Sequence, residues 1–384
     1  YGFTGNTEIG VYESLATLES NSWTIGNQLV SGFYPNRIPN PDLKWEKTGQ
    51  FDIGFDLGLF NNRLRLTADY YYKKTTDLLY NVAIPSASGY DSMLKNIGSV
   101  QNKGYELSIE SDNLSGAFSW TTAFNISFNR NKVLELGGET YKDVGTYDDH
   151  LKTSDIRRLI VGQPIGVFYG YRFDGIFQNE AECAQQTSSP SPIGVGLRRY
   201  KDLNGDGKID ATNDREILGD ANPKFFGGMT NTFAYRGFEL NVFLQYSYGN
   251  KIFNYNAMEL ESPTGGQNVY QDLVNRWTPT NPSNEYQKAT TNRNNIVSDR
   301  FIEDGSFLKL KTVSLSYSFP KLNWKHIGGL RLYVTGQNLL TWTKYRGYDP
   351  EVSYRGASTL EAGEDFGGYP QARTFMFGIK LDIK

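Results

Sequence analysis

The densest run of hard oxygen donors in the chain is Asp202-Leu-Asn-Gly-Asp-Gly-Lys-Ile-Asp210. Oxygen-bearing side chains stand at the first, third and fifth places and glycine at the sixth. That is the pattern of the first half of an EF-hand loop, where the glycine permits a sharp turn. Asp202, Asn204 and Asp206 would supply side-chain oxygens, Lys208 its backbone carbonyl, and Asp210 the ninth position. The twelfth position, which should carry a bidentate carboxylate, is Asn213, and Asp214 follows one place later. The closing role therefore falls to Asp210 and Asp214 together, or to a loop one residue longer. Carboxylates bind hard cations, so the ion expected of this set is Ca2+, held weakly as in extracellular modules and stiffening the 178–222 stretch. No helical periodicity flanks the loop. The competing reading is a solvated cluster of Asx turns without an ion.

Other chemistry is thinly represented. Ser92-Met-Leu-Lys95 has the S-x-x-K spacing of acyl-serine enzymes, but no S-D-N or K-T-G partner follows, and a chance match in a connecting segment is the reading adopted. Asp52, Asp56, Asp69, Glu106 and Glu110 invite an acid–base reading, yet they alternate with apolar residues and read better as the wet face of strands. His150 and His326 are the two histidines and Cys183 the one cysteine. These exclude a CxxC zinc site and an internal disulfide framework, and leave little room for a histidine-based cluster. No Walker loop or dinucleotide fingerprint occurs. With 39 basic against 42 acidic residues, the chain lacks the basic excess of a nucleic-acid binder.

The elements that position these residues follow from patterning. The chain is 14% aromatic and holds 40 glycines among 384 residues, a composition of β-structure with many turns. No run of about 18 apolar residues is present, which excludes a transmembrane helix. Period-two alternation marks strands at 51–59, 63–70, 105–110, 118–128, 238–248, 313–319, 330–334 and 375–383, with weaker candidates at 10–18, 23–33, 165–177 and 225–235, about twelve in all. Asn61-Asn62 predicts a two-residue type I′ turn, because asparagine tolerates positive φ. Asp112–Gly116 and Arg236-Gly237 are further turns. Residues 268–277, with apolar positions 269, 273, 274 and 277, predict a short amphipathic helix stopped at Thr278-Pro279.

Alternation alone fits a soluble multi-domain β-protein as well as a membrane barrel. Three features favour the barrel. The strands are long. Tight turns at 61–62, 112–116 and 236–237 contrast with long stretches at 132–164, 178–222, 250–305 and 344–371. Aromatics gather near strand ends at Tyr70–Tyr72, Phe168-Tyr169, Tyr246, Tyr248, Trp342 and Tyr345. Short turns, long loops and aromatic girdles are the marks of an outer-membrane β-barrel. Phe51, Ile53, Phe55 and Leu57 would then face lipid, and Asp52 and Asp56 the lumen.

Several blocks resemble one family, the SusC/RagA-type TonB-dependent outer-membrane transporters of Bacteroidetes. They are Asn40-Pro-Asp-Leu-Lys-Trp-Glu-Lys47, Tyr72-Lys-Lys-Thr-Thr-Asp-Leu-Leu79, Asn96-Ile-Gly-Ser-Val-Gln-Asn-Lys-Gly-Tyr-Glu106, Asp202–Asp210, Asn275-Arg-Trp-Thr-Pro-Thr-Asn-Pro282, Ile302-Glu-Asp-Gly-Ser-Phe-Leu-Lys309 and Gly336–Glu351. Each is moderately specific; their occurrence in family order is highly so. The resemblance implies an all-β fold, a transmembrane antiparallel β-barrel with long extracellular loops, residues 1–384 forming the C-terminal part of one barrel. Such plugged barrels have about 22 strands, so the plug, the TonB box and the first strands would lie upstream, and a residue or two beyond Lys384.

The function implied is import of oligosaccharides or oligopeptides across the bacterial outer membrane, without covalent chemistry. A SusD-like surface lipoprotein would act as a lid, TonB would drive the plug, and two transporters with two lids would pair. Two readings compete: a structural or binding barrel in a larger surface assembly, without transport, and a secreted glycan-binding or glycan-cleaving β-protein. Loop aromatics Tyr147, Tyr270, Trp277, Tyr286 and Tyr354 are candidates for stacking on sugar rings or for lining a protein interface.

Overall fold

Residues that alternate in sequence form ten antiparallel strands in one sheet, each hydrogen-bonded to the next in chain order. They are β1 (Gly2–Asn6), β2 (Glu46–Leu59), β3 (Leu64–Thr76), β4 (Ser99–Leu114), β5 (Phe118–Glu135), β6 (Phe225–Tyr235), β7 (Phe238–Tyr248), β8 (Phe307–Ser318), β9 (Ile327–Thr343) and β10 (Thr374–Ile383). The computed structural model describes all residues except 7–11, 85, 89, 91, 146–152, 154–155, 263–267, 292–294, 321–326, 353, 357 and 384. His150, His326 and Tyr147 fall outside the described residues, as does the start of the 10–18 strand candidate.

Register fixes two faces, since residues directly opposite one another share a face. Phe55 pairs with Ala68, Ala68 with Leu107, and Leu107 with Ile126. Further along, Leu240 pairs with Leu315, Leu315 with Val334, and Val334 with Phe377. The other face carries Asp56, Thr67, Ser108 and Asn125 in one row, and Glu239, Ser316 and Tyr333 in another. The apolar face meets no second sheet. Ile53 is 61% exposed, Phe55 58% and Phe377 83%. A soluble sandwich would bury those rows against each other.

Aromatics ring this face at both ends. At one end Tyr70 stacks near Tyr105 with centroids 4.9 Å apart, and Phe225 near Tyr248 at 5.0 Å. At the other, Trp120 lies 5.7 Å from Phe233 and Phe238 4.5 Å from Tyr317. The Tyr70–Tyr72 cluster is divided by the pleat: Tyr71 points to the polar face and its hydroxyl donates to Asn129 at 3.0 Å.

Connections at one end are short. Arg236 and Gly237 both have positive φ, 48° and 89°, as a type I′ turn requires. The turn at Asn61-Asn62 is wider than expected: Phe60, Asn61 and Asn62 all lie at positive φ, and Leu59 pairs with Leu64 across four residues. At the other end the connections fold into a cap. The segment 136–224 is one excursion, so the 165–177 candidate is not a wall strand. Val167–Tyr171 belongs instead to a four-stranded cap sheet with Tyr141–Val144, Arg157–Ile160 and Arg215–Asp220. Val167, Phe168, Gly170 and Tyr171 are buried in it, and a strand buried on both sides cannot face lipid. Among the described residues the wall therefore holds ten strands rather than twelve. The 23–33 candidate resolves into parts of a hairpin, Thr17–Ile25 with Gln28–Arg37, turning at Gly26 and Asn27; it too lies outside the wall. Of the described part of the 10–18 candidate only Thr17 and Leu18 are in strand, residues 12–14 being a turn.

The buried core sits in the cap. Phe168, Phe253, Tyr255, Ala257, Met258 and Phe301 are 0–1% exposed and pack together. The expected helix at 268–277 is a single 3-10 turn, Gln271–Asn275, that buries Leu273 but leaves Val274 71% exposed. A 3-10 turn repeats every three residues, so 273 and 274 cannot share one face.

Candidate functional site

The polar face of the wall and the cap above it meet through named side chains. Asn131 on β5 accepts from the Ile165 amide at 2.6 Å, and Gln245 on β7 donates to Glu351 at 3.0 Å. Lys309 on β8 donates to Asp349 at 2.6 Å and to Glu351 at 2.5 Å, and Lys311 to Glu351 at 3.1 Å. Asn131, Gln245 and Lys309 lie on the polar face by register, and Lys311, in a bulge beside Lys309, reaches the same Glu351, so the cap folds over that face and encloses a wet interior.

The interior wall is a field of paired charges and carboxamides. Arg65 bridges Glu110 at 2.9 Å, Arg331 bridges Glu239 at 2.6 Å, and Thr67 donates to Asp56 at 2.6 Å. Asp69 stands opposite Glu106 across β3 and β4. The carboxylates read as wet-face residues are therefore all on one face. Ser92 and Lys95 lie on the strand Ser92–Asn96; three apart in a strand, they point to opposite faces, which removes the nucleophile–base reading.

The cap is stapled by buried ions. Arg157, 1% exposed, donates to Glu364 at 3.0 Å, to the Gly166 carbonyl at 2.9 Å and to the Ala362 carbonyl. Burial pushes the Glu364 carboxyl up, against the pull of Arg157; an arginine stays protonated in proteins, so Glu364 is its counter-charge. Glu261 gathers Arg300 at 2.6 Å and Arg346 at 3.2 Å. The buried Tyr345 hydroxyl donates to Asp365 at 2.5 Å, and burial together with that bond raises its pKa. Tyr345 is thus a cap residue, not a girdle residue, and Phe168 belongs to the core. The loop aromatics are likewise committed to packing: Trp277 donates to Gln178 at 3.1 Å, Tyr286 is buried, and Tyr354 packs on Phe366 with centroids 5.4 Å apart.

The acidic loop lies in the cap between Arg198–Tyr200 and Arg215–Asp220. Asp202 accepts from the Gly205 and Gly207 amides at 2.6 and 2.7 Å. Asp206 accepts from the Lys208 amide and from the side chain of Asn204. Asp210 accepts from the Thr212 and Asn213 amides, both at 2.8 Å. The fully buried Asp214 accepts from Leu203 and Asp210, both at 2.8 Å. Chiefly the Gly207 amide holds Asp202 below the usual carboxylate range, and the Asn213 amide does the same for Asp210. The oxygens suit a hard cation in kind. In this arrangement they accept from backbone amides, and among the described residues no group of three His, Cys, Asp or Glu is placed to hold a metal ion.

Sequence reasoning missed Lys309, Asp349, Arg157 and Glu364. Asp349 and Glu351 sit in the last of the resembling blocks, but nothing local in sequence points to their partner.

Comparison with known proteins agrees with this architecture. Residues 11–176 match the family model described as TonB dependent receptor-like, beta-barrel. The chain is 41% identical to TonB-dependent receptor P3 of Formosa agariphila, over 99% of this chain and 38% of that protein. It is 28% identical to TonB-dependent receptor SusC of Bacteroides thetaiotaomicron, over 100% of this chain and 37% of that protein. Among solved structures, that of the RagAB peptide transporter superposes with a TM-score of 0.80 at 27% identity, covering 99% of this chain and 40% of that one. The chain spans about two fifths of the length of the relatives it matches.

Proposed function

We propose that this chain, which matches the TonB-dependent receptor β-barrel family model over residues 11–176, forms the polar-lined wall and outer cap of a SusC-like outer-membrane importer of large nutrients, oligosaccharides or oligopeptides. The family is one of receptors and transporters rather than enzymes. One observation carries the reading: ten strands present apolar rows outward with no second sheet to bury them, while the opposite face is polar and lies under a folded cap. Lipid satisfies the first face, because hydrocarbon takes apolar side chains as a protein core does, and neighbouring strands pair their backbones with one another.

In this reading a SusD-like surface lipoprotein sits over the cap as a lid, and TonB acts through a plug inside the barrel. The chain supplies a passage lined by polar side chains, part of them in charge pairs such as Arg65–Glu110 and Arg331–Glu239. The test is uptake by cells lacking the complete receptor gene. They are expected to lose accumulation of one labelled oligosaccharide or oligopeptide pool, with restoration by the gene and abolition by a proton uncoupler. Uptake that is unchanged by deletion for both pools overturns the proposal.

A further inference from the structure

Between wall and cap lies a cavity of about 500 Å3, within the usual range of ligand pockets. Its floor is the polar face of β4 and β5, where Asn102 stands opposite Asn131 and Val100 opposite Val133. Leu79 and Ile97 close one side, and Leu159, Ile165 and Leu360 the other. The rest of the lining is mostly aliphatic, with Glu135, Asn222 and Thr359 as its polar members. The one aromatic lining residue is Tyr80, whose ring already carries the Lys142 ammonium 3.7 Å from its centroid.

That lining discriminates between the two nutrient classes. A sugar carries a hydroxyl on nearly every carbon, and burying those against leucine and isoleucine leaves them unsatisfied. A leucine or valine side chain has no such group and gains from the burial. The asparagines supply the polar complement. The Asn131 oxygen is taken by the Ile165 amide and the Asn129 oxygen by the Tyr71 hydroxyl. What these carboxamides offer a ligand is N–H, which a carbonyl oxygen accepts.

Asn102 and Asn129 also border a second space of about 440 Å3, lined otherwise by Gln50, Asp52, Tyr71, Lys73 and Glu106. Two carboxylates there face one ammonium, so the field favours a cation.

We infer that the two spaces form one subsite for an oligopeptide. An aliphatic side chain fills the larger cavity, backbone carbonyls accept from the asparagine carboxamides, and the amino terminus or a basic side chain lies over Asp52 and Glu106. The inference rests on the import reading and narrows its substrate.

The experiment is titration calorimetry on the complete receptor purified in detergent, with three probes: a five-residue peptide of lysine, leucine and alanine, the same peptide with aspartate replacing leucine, and a neutral pentasaccharide. The leucine peptide is expected to bind at least tenfold more tightly than the aspartate peptide, and the pentasaccharide not to bind. Asn102→Leu is expected to weaken the leucine peptide about 2–10-fold, the effect of one hydrogen bond. Asp52→Asn combined with Glu106→Gln is expected to weaken it further. Heat-dependent gel mobility checks that each variant barrel is folded. Equal affinity for the two peptides, an Asn102→Leu affinity equal to that of the parent, or tight pentasaccharide binding overturns the subsite. Receptor-dependent uptake of an oligosaccharide but not of the leucine peptide also overturns it and leaves import standing. Loss of neither uptake on deletion strikes the import reading instead.

Discussion

The Lys309 ammonium lies 2.6 Å from the Asp349 carboxylate, across 40 residues of sequence, with the lysine side chain 3% exposed. One partner is fixed in a wall strand and the other in the last long loop, so this pair, with Glu351, clamps cap to wall. Lys309→Met removes the cation and leaves two half-buried carboxylates side by side. The expected effect is a local loss of about 1–3 kcal/mol, the desolvation penalty of a polar group left unpaired. Hydrogen exchange at residues 344–373 is expected to accelerate by tenfold or more while the wall strands stay protected. Adding Asp349→Asn and Glu351→Gln should recover part of the loss, since the repulsion goes with the charges.

The same clamp sets a pH dependence. Burial alone would raise Asp349 and Glu351, but hydrogen bonds from Lys309, and from Lys311 to Glu351, outweigh it and hold both below the usual carboxylate range. A carboxyl depressed in the folded state contributes stability that is fully present above its unfolded pKa, about 4, and is lost as pH falls through the folded value. Exchange in 344–373 should therefore be flat from neutral pH down to about 5, after correction for intrinsic rates, and rise below about 4. In Lys309→Met the rise is expected to vanish or move upward.

Arg157 and Glu364 give a sharper test of the cap. Both are essentially unexposed, at 1% and 0%. Arg157→Met leaves Glu364 charged or forces it to take a proton, and breaking such a buried pair costs about 3–5 kcal/mol. Limited proteolysis is expected to cut the cap, at 136–224 and 344–373, with the wall resistant. Arg157→Met with Glu364→Leu should be less sensitive than the single variant, because the buried carboxylate is gone and Arg355, its second partner, keeps Glu361.

How far the sequence discloses this design depends on which physical signal each residue carries. The wall was legible because lipid on one side and water on the other impose a strict period of two, as in Phe51–Leu59, and because Arg236-Gly237 can only turn one way. Residues 165–177 misled: Val167-Phe-Tyr-Gly-Tyr171 has aromatic β-formers but no polar alternation, and that lack is the mark of a strand covered on both faces. The clamp was illegible. In Phe307-Leu-Lys-Leu-Lys311 both lysines keep the wet-face rhythm of every other strand, and their partners are set by how a distant loop folds back.

The acidic loop separates an ion's contribution from that of amides. Asp214 bridges the Leu203 and Asp210 amides from a fully buried position. Asp214→Ala is expected to unprotect both amides in hydrogen exchange, by about 1–3 kcal/mol. Chelation of calcium is expected to leave them protected, since both amides donate directly to the Asp214 carboxylate. Protection that collapses on chelation and returns with added calcium would instead assign the loop's order to the ion.

Phe55 and Asp56 are neighbours in sequence and lie on opposite faces of β2, which makes them a matched pair for asking what each face touches. Phe55 sits in the middle of the outward row from Phe51 to Leu59 and is 58% exposed. In a water-soluble protein so exposed a position would accept arginine within about 0.5 kcal/mol. In a membrane wall, Phe55→Arg near the midplane should cost about 2–4 kcal/mol. Asp56→Arg, on the wet face, should cost less, limited to the hydrogen bond from Thr67. Refolding equilibria in lipid vesicles, read by urea titration of the complete receptor, measure both. Equal and small effects at the two positions would mean that the apolar rows do not face hydrocarbon.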